Sequence, residues 1–207
     1  HLPSDHAMRD VHQQYLVGGK APATAGSRLR PAEPATPPSP RIAAVVALEE
    51  PVLSDLTEYL QDADAGVRRA AVAVLVENLP DGYQPDLVAA LGDEDGAVRA
   101  TAADALRELV EVLPDPTAVA AYLTSADPVA RAVTLYVLSS RRVGAAADYR
   151  AAVPDSDHRV RIEAVRALVS VDDVDGVAAA ATDDNREVRI AAANGLATLR
   201  SGADTVR

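Results

Sequence analysis

The chain has 207 residues, no cysteine, six tyrosines but no Phe or Trp, and a formal net charge of -11. The absence of cysteine excludes a disulfide framework, a thiolate zinc site and a cysteine nucleophile. No apolar run exceeds seven residues, which is too short to span a bilayer. The acidic charge does not suit a nucleic-acid backbone, which requires clustered Lys and Arg.

Residues 1–40 differ in composition from the rest of the chain. Residues 18–40 contain six prolines and three glycines, and their apolar residues are mostly alanine, so we predict that residues 1–40 form a flexible segment. Met8 is the only methionine and is expected to be the native start, which would make residues 1–7 a remnant of expression. A short helix is predicted from Met8 to Val17. Its apolar residues could dock on a groove of this chain or of a neighbour.

Residues 41–207 contain an internal repeat marked by an arginine. Its five copies, spaced 31, 32, 30 and 28 residues apart, are Arg68, Arg99, Arg131, Arg161 and Arg189. Small or apolar residues stand one position before and three and seven positions after each arginine, as in Val67, Ala71 and Leu75. Steps of four residues follow one helix face, and a period of roughly 30 residues is typical of helical-pair solenoids. Each copy is therefore predicted to contain a helix, called helix B, that buries this face.

A turn and a shorter apolar segment, called helix A, precede each helix B. Four residues before each repeated arginine stand residues that favour a helix N-cap: Asp64, Asp95, Asp127, Asp157 and Asn185. The helix A segments are residues 51–60, 85–91, 116–123, 145–153 and 174–181. Three of them begin with a proline expected in the first helical turn, namely Pro51, Pro85 and Pro116. Five such units, preceded by a half-unit at residues 41–50, make residues 41–207 one solenoid domain.

The shared pattern, L-x-D-x-D-x-x-V-R-x-x-A-x-x-A-L, resembles the HEAT repeat in its short bilin-lyase-like variety, over roughly residues 50–200. The resemblance implies an all-α fold, a right-handed α-α superhelix of about five helical hairpins. It also implies a ladder between the repeated arginines and the turn carboxylates of Asp62, Asp93, Asp155 and Asp183. In the third repeat, Ser125 and Ala130 replace the usual Asp and Val, so a weaker ladder and a bend are expected there.

Positions that vary between the repeats indicate where a partner could bind. In HEAT-like stacks helix B lines the concave surface, and the variable columns lie one, five and nine residues after the repeated arginine. The candidate protein-binding groove consists of Arg69, Glu77, Asp104, Glu108, Tyr136, Ile162, Arg166, Ile190 and Asn194. Tyr and Arg are enriched at protein interfaces, which favours binding. The alternative is that Ile162 and Ile190 pack on each other between neighbouring repeats.

No catalytic, cofactor or metal site is predicted. Paired carboxylates recur at the same place in every repeat, which is typical of capping and turn residues and not of acid–base catalysis. The segment DEDG at residues 93–96 begins like a calcium loop, but Val98 and Asp104 stand where that loop needs Gly and Glu. The repeated arginines are expected to be structural, with turn carboxylates as partners.

Three classes of function remain. The preferred one is a non-catalytic scaffold that binds a protein or peptide on its concave face, where the acidic Glu77, Asp104 and Glu108 favour a basic or mixed peptide. The resemblance also implies, as an alternative, a bilin-lyase-like chromophore lyase or isomerase subunit. A more remote alternative is a HEAT-like DNA glycosylase, which needs a basic groove and aromatic side chains. We predict no cofactor, no nucleic-acid or membrane partner, and a cytoplasmic location.

Overall fold

The computed structural model of the protein describes residues 39–205, with side chains as far as Gly202. The predicted helix from Met8 to Val17 and its docking lie outside the described residues and stay predictions. Ser39 and Pro40, which were assigned to the flexible segment, are instead the N-cap and the first residue of the first helix. The Ser39 hydroxyl accepts a hydrogen bond from the backbone of Arg41, and Pro40 is the first helical residue.

Helices joined by turns make up the described residues, and no strand occurs among them. The α-helices are α1 (Pro40–Val46), α2 (Leu53–Leu60), α3 (Ala65–Asn78), α4 (Gln84–Ala89), α5 (Gly96–Glu108), α6 (Pro128–Ser140), α7 (Ala146–Ala152), α8 (His158–Ser170), α9 (Val174–Ala179) and α10 (Arg186–Thr205). Short 3-10 helices span Ala90–Gly92, Val110–Val112, Pro116–Thr124 and Ala180–Thr182.

These helices form an α-solenoid of five consecutive hairpins, as predicted. The pairs are α2 with α3, α4 with α5, the 3-10 helix Pro116–Thr124 with α6, α7 with α8, and α9 with α10. Helix A of the third hairpin is therefore a 3-10 helix and not an α-helix. The expectation for Pro51 was wrong, because Val52 is the N-cap of α2 and Pro51 precedes it, whereas Pro85 and Pro116 lie in first turns.

The core consists of aliphatic columns that recur in every hairpin. In helix B the predicted stripe is fully buried at Val67, Ala71 and Leu75, and its later copies are buried as far as Ala192, with Leu196 half-buried. Helix A adds a column twelve residues before each repeated arginine, and its members are Leu56, Leu87, Val119, Tyr149 and Val177, all with no exposed surface. Each fully buried side chain of this size contributes about 1.5–3 kcal/mol by the hydrophobic effect. Small core residues let neighbouring helices approach closely.

The predicted N-caps are confirmed. Each capping side chain accepts a hydrogen bond from a backbone N–H in the first turn of helix B, for example Asp64 from Gly66 at 2.7 Å and Asp127 from Val129 at 2.8 Å. Asp95, Asp157 and Asn185 do the same. A cap of this kind stabilises a helix by about 1 kcal/mol, which explains why the acidic residues concentrate in the turns.

The repeated arginines join neighbouring hairpins into a ladder. The Nε and Nη2 atoms of Arg68 donate to the two carboxylate oxygens of Asp93 at 2.8 Å each, and its Nη1 donates to the carbonyls of Asp62 and Ala63 in its own turn. Two later rungs repeat this geometry, Arg131 with Asp155 and Arg161 with Asp183. The predicted pairing with turn carboxylates is confirmed for these three arginines. Arg189 departs from it, because among the described residues it donates only to the carbonyls of Asp183 and Asp184 in its own turn.

The ladder is altered at the third turn and extended at its N-terminal end. Because Ser125 offers no carboxylate, Arg99 donates instead to Asp127, the N-cap residue of α6. At the other end Arg41 of α1 donates to Asp62 at 2.5 Å, so α1 occupies the place of a helix B before the first hairpin. The hydrogen bonds from Arg68 hold the pKa of Asp93 below its ordinary value, despite partial burial.

Candidate functional site

The residues of the candidate groove all lie on helix B of their hairpins. Seven of the nine side chains are exposed, and Tyr136 and Ile162 are half-buried. The nine positions fall on successive helices: Arg69 and Glu77 on α3, Asp104 and Glu108 on α5, Tyr136 on α6, Ile162 and Arg166 on α8, and Ile190 and Asn194 on α10. They line one face of the helix B row.

An ion pair between the second and fourth hairpins indicates that the row of B helices curves, with this face on its inner side. Arg107 of α5 places its guanidinium over the ring of Tyr136 on α6, 4.6 Å from the ring centroid. The same guanidinium reaches past α6 to α8, where its Nη1 lies 3.5 Å from Oε1 of Glu163. Side chains of the second and fourth hairpins can meet across the third only where the helices converge. The helix B row is therefore concave on the side that carries the candidate residues.

Glu163 is a buried carboxylate that serves two arginines. Glu163 is 6% exposed, and its Oε1 accepts a hydrogen bond from Nη1 of Arg166 at 3.1 Å in addition to the contact with Arg107. A carboxylate this buried requires charged partners to offset its lost hydration. Since two guanidinium groups share one carboxylate, this part of the concave face carries excess positive charge.

A cavity of about 370 Å³ opens next to Arg166, between α8 and α10. Its lining residues are Ile162, Arg166, Val169, Glu187, Ile190, Ala191, Asn194, Gly195 and Thr198. Four of the nine predicted groove residues thus lie around a single concavity. Gly195 allows the two helices to approach this closely, because a Cβ there would stand 2.6 Å from Cγ2 of Val169.

The other end of the concave face is acidic. Asp104 and Glu108 lie one turn apart on α5. Glu77 lies on α3, at the same place in its repeat as Glu108. Within residues 39–202, none of these three carboxylates forms an ion pair, because the nearby Arg107 is directed toward Tyr136 and Glu163. Like charges one turn apart destabilise a helix by roughly 0.2–0.5 kcal/mol. A cationic partner group would relieve that repulsion.

The sequence did not reveal all the residues that form this face. Arg107 and Glu163 were missed, although Glu163 carries a charge in a column whose other members are Ala70, Thr101, Val133 and Ala191. That single break in an uncharged column was a usable signal. Tyr136, predicted only as a groove residue, is half-buried, and Arg107 covers its ring.

No grouping of three metal-ligating side chains occurs in the part of the chain that the structure describes. None of its helices is long and apolar enough to cross a membrane.

Comparison with known proteins agrees with the geometry. Residues 53–139 match the family model described as HEAT repeats. The search of curated proteins found no match.

Several solved structures share the fold. The crystal structure of an engineered protein superposes with a TM-score of 0.53 at 18% identity, covering 78% of this chain and 88% of that one. A designed armadillo repeat protein in complex with the peptide (KR)4 gives a TM-score of 0.54 at 18% identity, covering 71% of this chain and 81% of that one. Cex1p gives 0.55 at 14% identity, covering 73% of this chain but 36% of that one. The family match shows HEAT repeats over residues 53–139, and the helical hairpins on both sides continue the same α-solenoid.

Proposed function

We propose that the protein is a non-catalytic scaffold that binds a peptide segment of another protein along the concave face of its helix B row. The observation that carries this proposal is the composition of that face. Its exposed carboxylates on α3 and α5 form no ion pairs among the described residues, and a cavity beside an arginine lies between α8 and α10. Repeat solenoids commonly use such extended concave surfaces for binding.

The acidic end of the face favours basic residues in the peptide. Glu77, Asp104 and Glu108 are exposed, and none has a cationic partner within residues 39–202. Charge complementarity increases the rate of association and selects the partner. The designed armadillo protein that shares this fold was solved with a peptide of alternating Lys and Arg, which supplies a defined probe. Nothing in the described residues favours the chromophore-lyase or the DNA-glycosylase alternative over this proposal.

The experiment is a binding titration with a fluorescein-labelled (KR)4 peptide, followed by fluorescence anisotropy. The test variant is Asp104→Asn combined with Glu108→Gln. The matched control is Asp81→Asn combined with Glu111→Gln, which removes the same two kinds of exposed carboxylate from outside the concave face. All three proteins are compared at low and at moderate salt, because exposed ion pairs are screened by salt.

We expect the test variant to bind about tenfold more weakly than the wild type, since two exposed ion pairs together contribute roughly 1–2 kcal/mol. The control variant is expected to retain the wild-type affinity. Equal weakening in the two variants would mean that the peptide responds only to overall charge, and absence of binding to all three proteins would contradict the proposal for a basic peptide.

A further inference from the structure

We propose that the α8/α10 cavity binds an aliphatic side chain of the peptide together with the side-chain carboxylate of an adjacent Asp or Glu. This inference rests on the proposed function, because it assigns one end of the peptide that the concave face would bind. It also fixes which part of the peptide lies where: basic residues lie over α3 and α5, and the aliphatic–acidic pair lies over α8 and α10.

The floor of the cavity is aliphatic. Ile162 and Val169 of α8 face Ile190 and Ala191 of α10, and Ile190 remains 38% exposed. Binding sites for small groups are usually concave, mostly apolar and supplied with a few polar groups that fix orientation. Burial of a further aliphatic side chain on this floor would remove apolar surface of both molecules from water, which is favourable.

The charged wall of the cavity favours a carboxylate. Arg166 uses its Nη1 to donate to Glu163, and its Nε and Nη2 have no acceptor among the described residues. Its side chain is 64% exposed, so this free edge is open to a partner. The edge formed by Nε and Nη2 can bind both oxygens of a carboxylate. The side-chain amide of Asn194, likewise without a partner among those residues, adds a further donor on α10.

The local charge balance agrees with an anionic occupant. Glu163 is shared between Arg166 and Arg107. On the opposite wall Glu187 has Arg186 as its partner, with 3.5 Å between Nη1 and Oε1. Of the two charged residues that line the cavity, Glu187 is thus paired with Arg186, whereas the Nε–Nη2 edge of Arg166 has no acceptor among the described residues. The open guanidinium edge favours a carboxylate here, whereas the exposed carboxylates of α5 favour a basic residue at the other end of the face.

The three isoleucines of the chain make a direct test possible. Ile162 and Ile190 line the cavity, and Ile42 lies in α1, where its Cδ1 is next to Gly66. Protein labelled with 13C only at the isoleucine δ1 methyls should give three signals, two from the cavity and one internal control. The probe is the capped hexapeptide acetyl-Gly-Ser-Leu-Glu-Ser-Gly-amide. Two further peptides replace Leu-Glu by Leu-Lys or by Ala-Glu, and a fourth ends in Leu with a free α-carboxylate.

We expect the Leu-Glu peptide to shift the signals of Ile162 and Ile190 but not that of Ile42, and both replacement peptides to bind more weakly. In the Arg166→Gln variant the dissociation constant should rise roughly fivefold, which corresponds to about 1 kcal/mol, the upper range for an exposed ion pair. Arg200→Gln, an exposed substitution on α10 away from the cavity lining, is the matched control and should leave the dissociation constant unchanged.

Several results would overturn the inference. These are no shift of the cavity signals, equal affinity for Leu-Lys and Leu-Glu, equal effects of the two arginine substitutions, or tighter binding of the peptide with the free α-carboxylate. Shifts that depend on protein concentration without peptide would assign the cavity to a second copy of the chain. If (KR)4 binds with the expected dependence on Asp104 and Glu108 while the Leu-Glu peptide fails, only this inference falls. Failure of both peptides removes the proposed function as well.

Discussion

The arginine ladder allows a quantitative prediction, because its rungs differ in burial and in the number of hydrogen bonds from the arginine to the carboxylate. The side chains of Arg68 and Asp93 are 8% and 13% exposed, whereas Arg41, the partner of Asp62, is 47% exposed. Asp93→Asn keeps an acceptor for the turn but removes the charge opposite Arg68. Hydrogen bonds to charged groups contribute about 1.5–3 kcal/mol. Since Glu94 stays within 3.3 Å of Arg68, we expect a loss of about 2 kcal/mol in unfolding free energy.

The assay is urea unfolding followed by far-UV circular dichroism, with Asp62→Asn as the control. With a urea dependence of about 2 kcal/mol per molar, the unfolding midpoint of Asp93→Asn should fall by roughly 1 M. The midpoint of Asp62→Asn should fall by less than half as much, because water already solvates Arg41. Equal shifts in the two variants, or a negligible shift for Asp93→Asn, would refute the claim that a buried rung with two hydrogen bonds stabilises the fold more than an exposed rung with one.

The same pair of residues predicts a dependence on pH. Because Arg68 lowers the pKa of folded Asp93, the carboxylate stabilises the fold above the ordinary Asp pKa of about 3.9. That stabilisation is lost as pH falls through the lowered value. The difference in stability between wild type and Asp93→Asn should therefore be constant near neutral pH and shrink below about pH 4. A difference that grows on acidification would contradict this assignment.

Three further predictions concern other parts of the chain. Gly144→Ala should destabilise the fold by about 1–3 kcal/mol in thermal unfolding, because the new Cβ would lie 2.2 Å from the Tyr149 hydroxyl oxygen; unchanged stability would contradict this packing. Ser125→Asp should stabilise the third turn by about 0.5–1 kcal/mol in urea unfolding by giving Arg99 the carboxylate that other rungs have, and a loss would refute the comparison. Removal of residues 1–38 should lower the melting temperature if that segment docks, and unchanged melting, oligomeric state and partner binding would exclude docking.

The repeat in the sequence was sufficient to predict most of the architecture. Val67, Ala71 and Leu75 and their copies define one helix face, and an Asp or Asn before each helix B defines where it begins. These signals are local, because helical periodicity and capping depend on residues within one or two turns. The helix A column at Leu56, Leu87 and Tyr149 was not predicted, because those helices have only about two turns and a single buried residue in each sets no recurring pattern.

The candidate face was predictable only as a set of columns. The variable positions on helix B indicated that Ile162, Arg166, Ile190 and Asn194 share a surface, and the structure brings those four around one cavity. The contact between Arg107 and Glu163 could not be predicted, since it joins residues of the second and fourth hairpins. It depends on the curvature of the stack, which is the sum of small rotations between successive repeats.

The sequence by itself determined the helical pairs, the aliphatic core and the place of the acidic residues in the turns, because each follows from periodicity or capping within a single repeat. It also explains the negative charge, since residues 41–207 hold 28 acidic and 16 basic residues and many of the acids cap helices. The tertiary structure alone decided which carboxylate each arginine binds and that two arginines share Glu163. Those pairings depend on distances between repeats, and such distances are fixed only when the hairpins pack.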